Sequence, residues 1–145
     1  MSEYTHIFAR KQGGAEFVQL GCFCGSSKIS EALSNAPWEH IMRLSDQKLS
    51  TASDKLQIEI ENYNDSINRA QLRIKLIVDM KETSIEDRLS AIEEAQNFIE
   101  ELVEERKEVE YAKSYIEFLQ GISSKETTLY FGCECGDDVS EEDLV

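Results

Sequence analysis

Apolar residues recur at helical spacing over two long stretches of the chain. In the first stretch they fall at Trp38, Met42, Leu49, Ala52, Leu56, Ile60, Tyr63, Ile67, Ala70, Ile74 and Ile77. In the second they fall at Ile85, Leu89, Ile92, Ala95, Ile99, Leu102, Val103, Val109, Ala112, Ile116 and Leu119. Steps that alternate between four and three residues are typical of a coiled-coil seam. The pattern predicts two long helices that fold back on each other over residues 37–120.

Local signals mark the ends of these helices. Pro37 is tolerated in the first turn of a helix, so the first helix is expected to begin there. Thr83 with Glu86, or Ser84 with Asp87, forms a capping box that begins the second helix. Gly121 is expected to cap its C-terminal end. The turn between the helices is therefore predicted near residues 81–83.

Strand-like segments flank this helical hairpin. Residues 4–10 and 16–20 are β-prone and are separated by a turn at Gly13 and Gly14, which predicts a β-hairpin. Residues 127–131 form a third β-prone segment, and residues 28–34 a short helix capped by Ser26 or Ser27. The predicted fold is α+β, mainly α. It is a long antiparallel two-helix coiled-coil hairpin with a small three-stranded β-sheet and a four-cysteine metal site at its base.

Each outer β-prone segment runs into a Gly-Cys-x-Cys-Gly motif, which contains Cys22 and Cys24 in one case and Cys133 and Cys135 in the other. Because an antiparallel hairpin returns its two ends to one place, the four thiols are expected to meet. Two thiolates on one tetrahedral zinc must approach each other to about 3.8 Å. Since i and i+2 side chains on a regular strand lie roughly 7 Å apart, the flanking glycines must let the chain bend.

The preferred interpretation is a closed structural Zn²⁺ site held by all four thiolates, which leaves no open coordination position for catalysis. The alternatives are dithiol redox chemistry, an iron–sulfur cluster and unrelated buried cysteines. His6 and His40 are possible extra ligands, although an ordinary structural role is preferred for both. The usual zinc knuckle has two residues between its cysteines rather than one, so the identity of the metal stays open.

The charge of the chain is strongly acidic, at −14, and is unevenly distributed. Residues 82–125 hold twelve acidic and five basic side chains, and residues 126–145 hold seven acidic and no basic ones. Direct nucleic-acid binding is disfavoured because phosphate contacts need a basic surface. A protein partner with a basic surface is expected instead. The alternative interpretation is that the acidic residues only keep the chain soluble. The candidate partner-binding residues are Asp79, Glu82, Glu86, Asp87, Glu93, Glu94, Glu100, Glu101, Glu104, Glu105 and Glu108.

The length predicts a single domain over residues 1–145. Residues 1–36 and 121–136 are expected to form a metal-stapled β base, residues 37–120 the helical hairpin, and residues 137–145 an acidic flexible tail. No transmembrane segment and no signal peptide are visible in the sequence, so a cytoplasmic location is expected. No nucleophile–base pattern, phosphate-binding loop or His/Asp metal cluster is present, which predicts that the chain is not an enzyme.

The leading functional hypothesis is a zinc-stabilised protein–protein interaction module that acts as a regulator, adaptor or inhibitor. An exposed strand edge also allows a homodimer. One alternative is an acidic, possibly phage-encoded, nucleic-acid mimic that inhibits a DNA-binding enzyme, and another is a thiol redox protein. Over residues 56–110, with acids at the tip, the hairpin also resembles in shape the bacterial transcription regulators of the Gre and DksA type. That resemblance implies entry into the secondary channel of RNA polymerase, although the cysteine spacing differs from the DksA finger.

Overall fold

The computed structural model describes residues 4–14, 16–24, 27–33, 42–124 and 126–132. This part of the chain is mainly helical and contains a four-stranded antiparallel sheet. The elements in chain order are β1 (Tyr4–Lys11), β2 (Val18–Cys24), α1 (Lys28–Leu33), β3 (Met42–Leu44), α2 (Asp46–Val78), α3 (Ile85–Ile122) and β4 (Thr127–Gly132).

The sheet has the strand order β2-β1-β4-β3. The predicted hairpin is present as β1 and β2, and the predicted C-terminal strand is β4, which pairs with β1. Gly13 adopts a φ of 79° in the hairpin turn, a backbone conformation that costs little only for glycine. The N–H of Gly14 donates to the carbonyl of Lys11 at 2.9 Å and closes the turn.

The sheet has four strands rather than the three expected, because residues predicted to start the first helix form β3 instead. Leu44 of β3 pairs with Leu129 of β4, and both side chains are buried. The helix α2 begins only at Asp46, where the hydroxyl of Ser45 accepts a hydrogen bond from the N–H of Lys48 at 3.2 Å. Tertiary pairing and this N-cap serine therefore outweigh the helical spacing that included Met42. Pro37, Trp38 and His40 lie outside the described residues.

The chain divides into two compact units. Unit 1 comprises Met1–Leu56 and Tyr111–Val145, and unit 2 comprises Gln57–Glu110. In the described part of unit 1, both faces of the sheet are buried at β1, because the consecutive residues Ile7 and Phe8 point to opposite faces and are both 0% exposed. The large, fully buried apolar side chains of this unit are Ile7, Phe8, Leu44, Leu49, Leu56, Ile116, Leu119 and Leu129. The short helix α1 is tied to β1 by a buried hydrogen bond of 2.6 Å between the hydroxyls of Thr5 and Ser30. Ser27 caps α1, since its hydroxyl accepts from the N–H of Ser30.

Unit 2 contains the facing parts of α2 and α3 and the six residues that join them. Ser84 is the N-cap of α3, because its hydroxyl accepts from the N–H of Asp87 at 3.2 Å. Further along, Arg106 Nη1 donates to Asn64 Oδ1 across the two helices at 2.8 Å. The predicted seam residues that are buried in this unit are Ile67, Ala70, Ile77, Leu102 and Val109.

Two details of the second helix differ from the prediction. Ile85 and Leu89 were expected in the seam, but both side chains are exposed. Gly121 was expected to end the helix, but it lies inside α3, which continues to Ile122. The exposure of Ile85 and Leu89 could not be predicted from residue spacing, because spacing shows which side chains share a face of a helix and not what covers that face.

Candidate functional site

The first cysteine pair lies on β2, and the described strands bring it near the end of β4. Cys22 is an exposed free thiol on β2. It pairs across the sheet with His6 of β1, and His6 pairs on its other side with Gly132 of β4. Only the width of β1 therefore separates Cys22 from the residue that precedes Cys133 in the chain. The side chain of Cys24, and the whole of Cys133 and Cys135, lie outside the described part of the chain.

His6 is a buried polar residue at the centre of this arrangement. Its side chain is 8% exposed, its ring stacks on Phe8 with 6.0 Å between centroids, and its Nδ1 has no hydrogen-bond partner in the described structure. A buried imidazole nitrogen without a partner is costly unless something outside the described contacts satisfies it. Sequence reasoning preferred an ordinary structural role for His6. The position of His6 between Cys22 and Gly132 depends on strand register, which cannot be deduced from the spacing of the motifs.

A metal site assembled wholly from described side chains is not found. Within residues 4–14, 16–24, 27–33, 42–124 and 126–132, no group of three or more His, Cys, Asp or Glu side chains is arranged to hold a metal ion. The described residues therefore supply Cys22, with His6 beside it, and the predicted set of four thiolates extends beyond them.

The predicted partner-binding acids are all exposed, and they fall in two groups. Asp79, Glu82, Glu86 and Asp87 lie in the connection between the helices and the first turn of α3. The other seven, Glu93, Glu94, Glu100, Glu101, Glu104, Glu105 and Glu108, lie on solvent-facing positions of α3. One of them is paired locally, since Glu104 Oε1 lies 3.1 Å from Lys107 Nζ. These side chains form a solvated acidic surface. Exposed ion pairs such as that of Glu104 with Lys107 add little to the stability of the fold.

Sequence reasoning missed an apolar surface around the turn of unit 2. Six large apolar side chains there are between 53% and 68% exposed, and we call them the turn patch: Leu72, Leu76, Val78, Met80, Ile85 and Leu89. Leu72 and Leu76 share one face of α2, and Ile85 and Leu89 share one face of α3, because residues four apart are neighbours on a helix. Leu72 and Leu76 lie outside the predicted seam, so their exposure could have been recognised from spacing, whereas Ile85 and Leu89 continue the seam and theirs could not.

A second exposed apolar surface lies in unit 1, where α3 packs on β2. The hydroxyl of Tyr115 donates to the carbonyl of Leu20 at 3.3 Å, and its ring meets Phe23 edge-on with 4.9 Å between centroids. Burial of the phenol, and then the neighbouring Tyr111, raise the pKa of Tyr115 above its ordinary value. The ring centroids of Phe118 and Tyr115 are 5.7 Å apart, and the side chain of Phe118 is half exposed. Nearby, an open cavity of about 750 Å³ is lined by Ala9, Lys11, Gly14, Glu16, Val18, Leu20, Ile122 and Thr127.

Comparison of the chain with protein-family models, with curated protein sequences and with solved structures finds no match. In the described part of the chain, no helix has the length and apolar character needed to cross a membrane.

Proposed function

We propose that the protein is a non-enzymatic interaction module that binds a protein partner through the turn of unit 2. The observation that carries this proposal is the turn patch. Six large apolar side chains are exposed within 18 residues of chain around one turn, and exposed apolar surface commonly marks an interaction site.

The charges around the turn patch indicate the chemistry of the partner. Between residues 79 and 87 the chain carries Asp79, Glu82, Glu86 and Asp87 against one base, Lys81. These exposed carboxylates lie beside Met80 and Ile85, so they would form a polar rim around apolar contacts. The complementary partner surface is apolar with basic residues at its edge. Acidic groups at a rim contribute mainly to association rate and specificity, whereas the buried apolar side chains contribute most of the affinity.

The proposed metal staple belongs to unit 1. It is supported by the duplicated Gly-Cys-x-Cys-Gly motif and by the register that places Cys22 and Gly132 on either side of His6. We propose Zn²⁺ bound by Cys22, Cys24, Cys133 and Cys135, with an iron–sulfur cluster as the alternative. Such a site would add on the order of 10 kcal/mol to the stability of a small β unit.

Site-specific cross-linking in the native host tests the partner-binding surface. A photoreactive residue at Leu76 or Leu89 of the full chain is expected to cross-link the same protein, and the yield should fall when Val78→Lys is added. The same photoreactive residue at Gln47 or Gln120, both exposed in unit 1, is the matched control. Equal cross-linking from all four positions, or no effect of Val78→Lys, would contradict the proposal.

Metal analysis tests the staple. Cys22→Ser should remove bound metal from the purified full-length protein and lower its melting temperature by about 10 °C or more. Gln19→Ser, an exposed change in the same strand, is the control and should leave both unchanged. Without a metal, an exposed substitution at Cys22 should change stability by only about 0.5 kcal/mol. Two variants that melt together, with no metal in either, would therefore refute the staple and leave dithiol redox chemistry or unrelated cysteines as the interpretation of the motif.

A further inference from the structure

His6 is the cross-strand neighbour of Cys22. The two residues are directly opposite each other in the pairing of β1 with β2. Residues that are directly opposed in an antiparallel pair have Cα atoms about 4.5–5.5 Å apart and side chains on the same face of the sheet. On its other side, His6 is directly opposite Gly132 of β4, which has no side chain. The imidazole is therefore the only side chain at this level of the sheet that lies between Cys22 and the end of β4.

A metal shared by Cys22 and the cysteines that follow Gly132 has to bridge β1. Neighbouring strands lie about 4.8 Å apart, so β2 and β4, which flank β1, are separated by roughly 10 Å. Two thiolate sulfurs bound to one tetrahedral zinc lie only about 3.8 Å apart. The metal would consequently lie over β1, between the two flanking strands. The side chain that β1 presents at that position is His6.

The backbone at the first cysteine pair is a regular strand. Consecutive residues of β2 pair with consecutive residues of β1, from Cys22 opposite His6 to Cys24 opposite Tyr4, and the register shift in this pairing falls elsewhere. The bend expected within the pair is therefore not present in the described backbone of β2. A regular strand sets the backbone positions of Cys22 and Cys24 roughly 7 Å apart. Cys22 and His6, about 4.5–5.5 Å apart, are the closer positions from which to bind one metal.

The imidazole of His6 has a nitrogen that no hydrogen bond of the described structure occupies. The side chain is 8% exposed, and Nδ1 is buried without a partner. The ring is held by stacking on Phe8, with 6.0 Å between centroids and 16° between the ring planes. Burying a polar nitrogen is unfavourable unless a partner satisfies it. A metal ion is such a partner, because neutral imidazole is a common metal ligand through either ring nitrogen.

We propose that His6 binds the metal of the staple directly, through Nδ1, together with Cys22, Cys133 and Cys135. This inference rests on the proposed staple and replaces Cys24 by His6 in its ligand set. Three cysteines and one histidine are an established tetrahedral ligand set of structural zinc. With His6 as a ligand, β2 contributes a single sulfur and keeps its regular strand geometry, and only the second Cys-x-Cys pair has to bring both sulfurs to the metal.

X-ray absorption spectroscopy at the zinc edge of the reduced, zinc-loaded full-length protein tests this inference. The expected first shell is one nitrogen at about 2.0–2.1 Å and three sulfurs near 2.3 Å, with the outer-shell scattering of an imidazole ring. The chain has two histidines, His6 and His40, so an imidazole ligand from the protein must be one of them. A shell of four sulfurs without nitrogen would overturn the inference and leave the four-thiolate staple in place.

Single substitutions identify which residues bind the metal. His6→Phe keeps an aromatic ring beside Phe8 and removes the ligating nitrogen, so it should lower the affinity for zinc at least about tenfold, as competition with a chelator would measure. Cys24→Ser and His40→Phe are the matched controls, and both should bind zinc as the wild type does. Loss of zinc affinity in either control, or an unchanged affinity in His6→Phe, would overturn the inference.

A packing defect at His6 is separable from the loss of a ligand. His6→Cys offers a thiolate at the same position, so it should retain zinc with four sulfurs and no imidazole in its absorption spectrum. If His6→Phe unfolds the protein, as circular dichroism would show, the spectra of the wild type and of His6→Cys decide. A nitrogen shell that persists in His6→Cys would overturn the inference. A wild-type protein that binds no zinc would refute the staple itself, and the inference with it.

Discussion

The contact between Gly21 and Tyr115 leads to a quantitative prediction about the packing of α3 on β2. A Cβ atom added at Gly21 would lie 2.7 Å from the hydroxyl oxygen of Tyr115 and 2.7 Å from Cε2 of Phe23. Both distances are shorter than real Cβ contacts allow. Gly21→Ala must therefore push the tyrosine, the phenylalanine or the strand itself out of place.

The expected cost follows from two opposing effects. Overpacking of a well-packed site costs about 1–3 kcal/mol. Replacing glycine by alanine restricts the unfolded chain, which returns about 0.4–1 kcal/mol where the backbone conformation is ordinary. Gly21 is not among the described glycines with positive φ, so this second effect applies. Gly21→Ala should then destabilise the protein by about 1–2 kcal/mol.

A double-mutant cycle isolates the hydroxyl contact. Tyr115→Phe should cost about 0.5–1.5 kcal/mol, because it removes the hydrogen bond to Leu20. The same change removes one of the three contacts shorter than 3.0 Å that the new Cβ would make. The double variant should therefore be less destabilised than the sum of the single variants, by on the order of 0.5–1 kcal/mol. Urea unfolding followed by circular dichroism measures all four proteins. Strict additivity, or a Gly21→Ala variant as stable as the wild type, would refute the packing described here.

Burial and the neighbouring Tyr111 raise the pKa of Tyr115. The contribution of Tyr115 to the free energy of unfolding is therefore full below the unfolded pKa of about 10 and is lost as the pH rises through the folded pKa. When the free energy of unfolding is measured at increasing alkaline pH, the Tyr115→Phe variant should lack this loss. An added Cβ would have open space at both Gly13 and Gly121, so the two positions differ only in backbone conformation: Gly13 has a positive φ and Gly121 is helical. Gly13→Ala should destabilise by about 1 kcal/mol, and Gly121→Ala should stabilise by up to about 1 kcal/mol, as thermal unfolding would show. Leu102→Ala should cost about 2–5 kcal/mol and Leu89→Ala under about 1 kcal/mol in the same assay, since only Leu102 is buried. Equal costs would contradict the assignment of the turn patch.

Much of the secondary structure follows from local signals. The capping serine at Ser84, the glycine turn at Gly13 and the helical spacing from Leu49 to Ile77 act between residues close together in the chain. Their effect on backbone conformation can therefore be predicted without knowledge of the fold. The same holds for the separation of charge, which places the acidic excess on the second helix and the tail.

The candidate sites were harder to predict from sequence. The turn patch was missed because Ile85 and Leu89 continue the spacing of the seam, and spacing cannot reveal where the facing helix stops covering it. The position of His6 between Cys22 and Gly132 depends on the register of two separate strand pairings. A shift of one residue in either pairing would move His6 to the opposite face relative to its neighbour.

The sequence by itself determined that this chain forms two long helices joined by a capped turn, flanked by strands that lead into paired cysteines. Those features depend on hydrogen bonds and side-chain contacts within a few residues of chain. Only the tertiary structure decided that residues 42–44 join the sheet, that β2 is the end strand among those described, and that apolar side chains of the described residues remain exposed around the turn of unit 2. These features depend on contacts between residues far apart in the sequence. The residues of an apolar face show that it can be buried, but they do not show which other element packs against it.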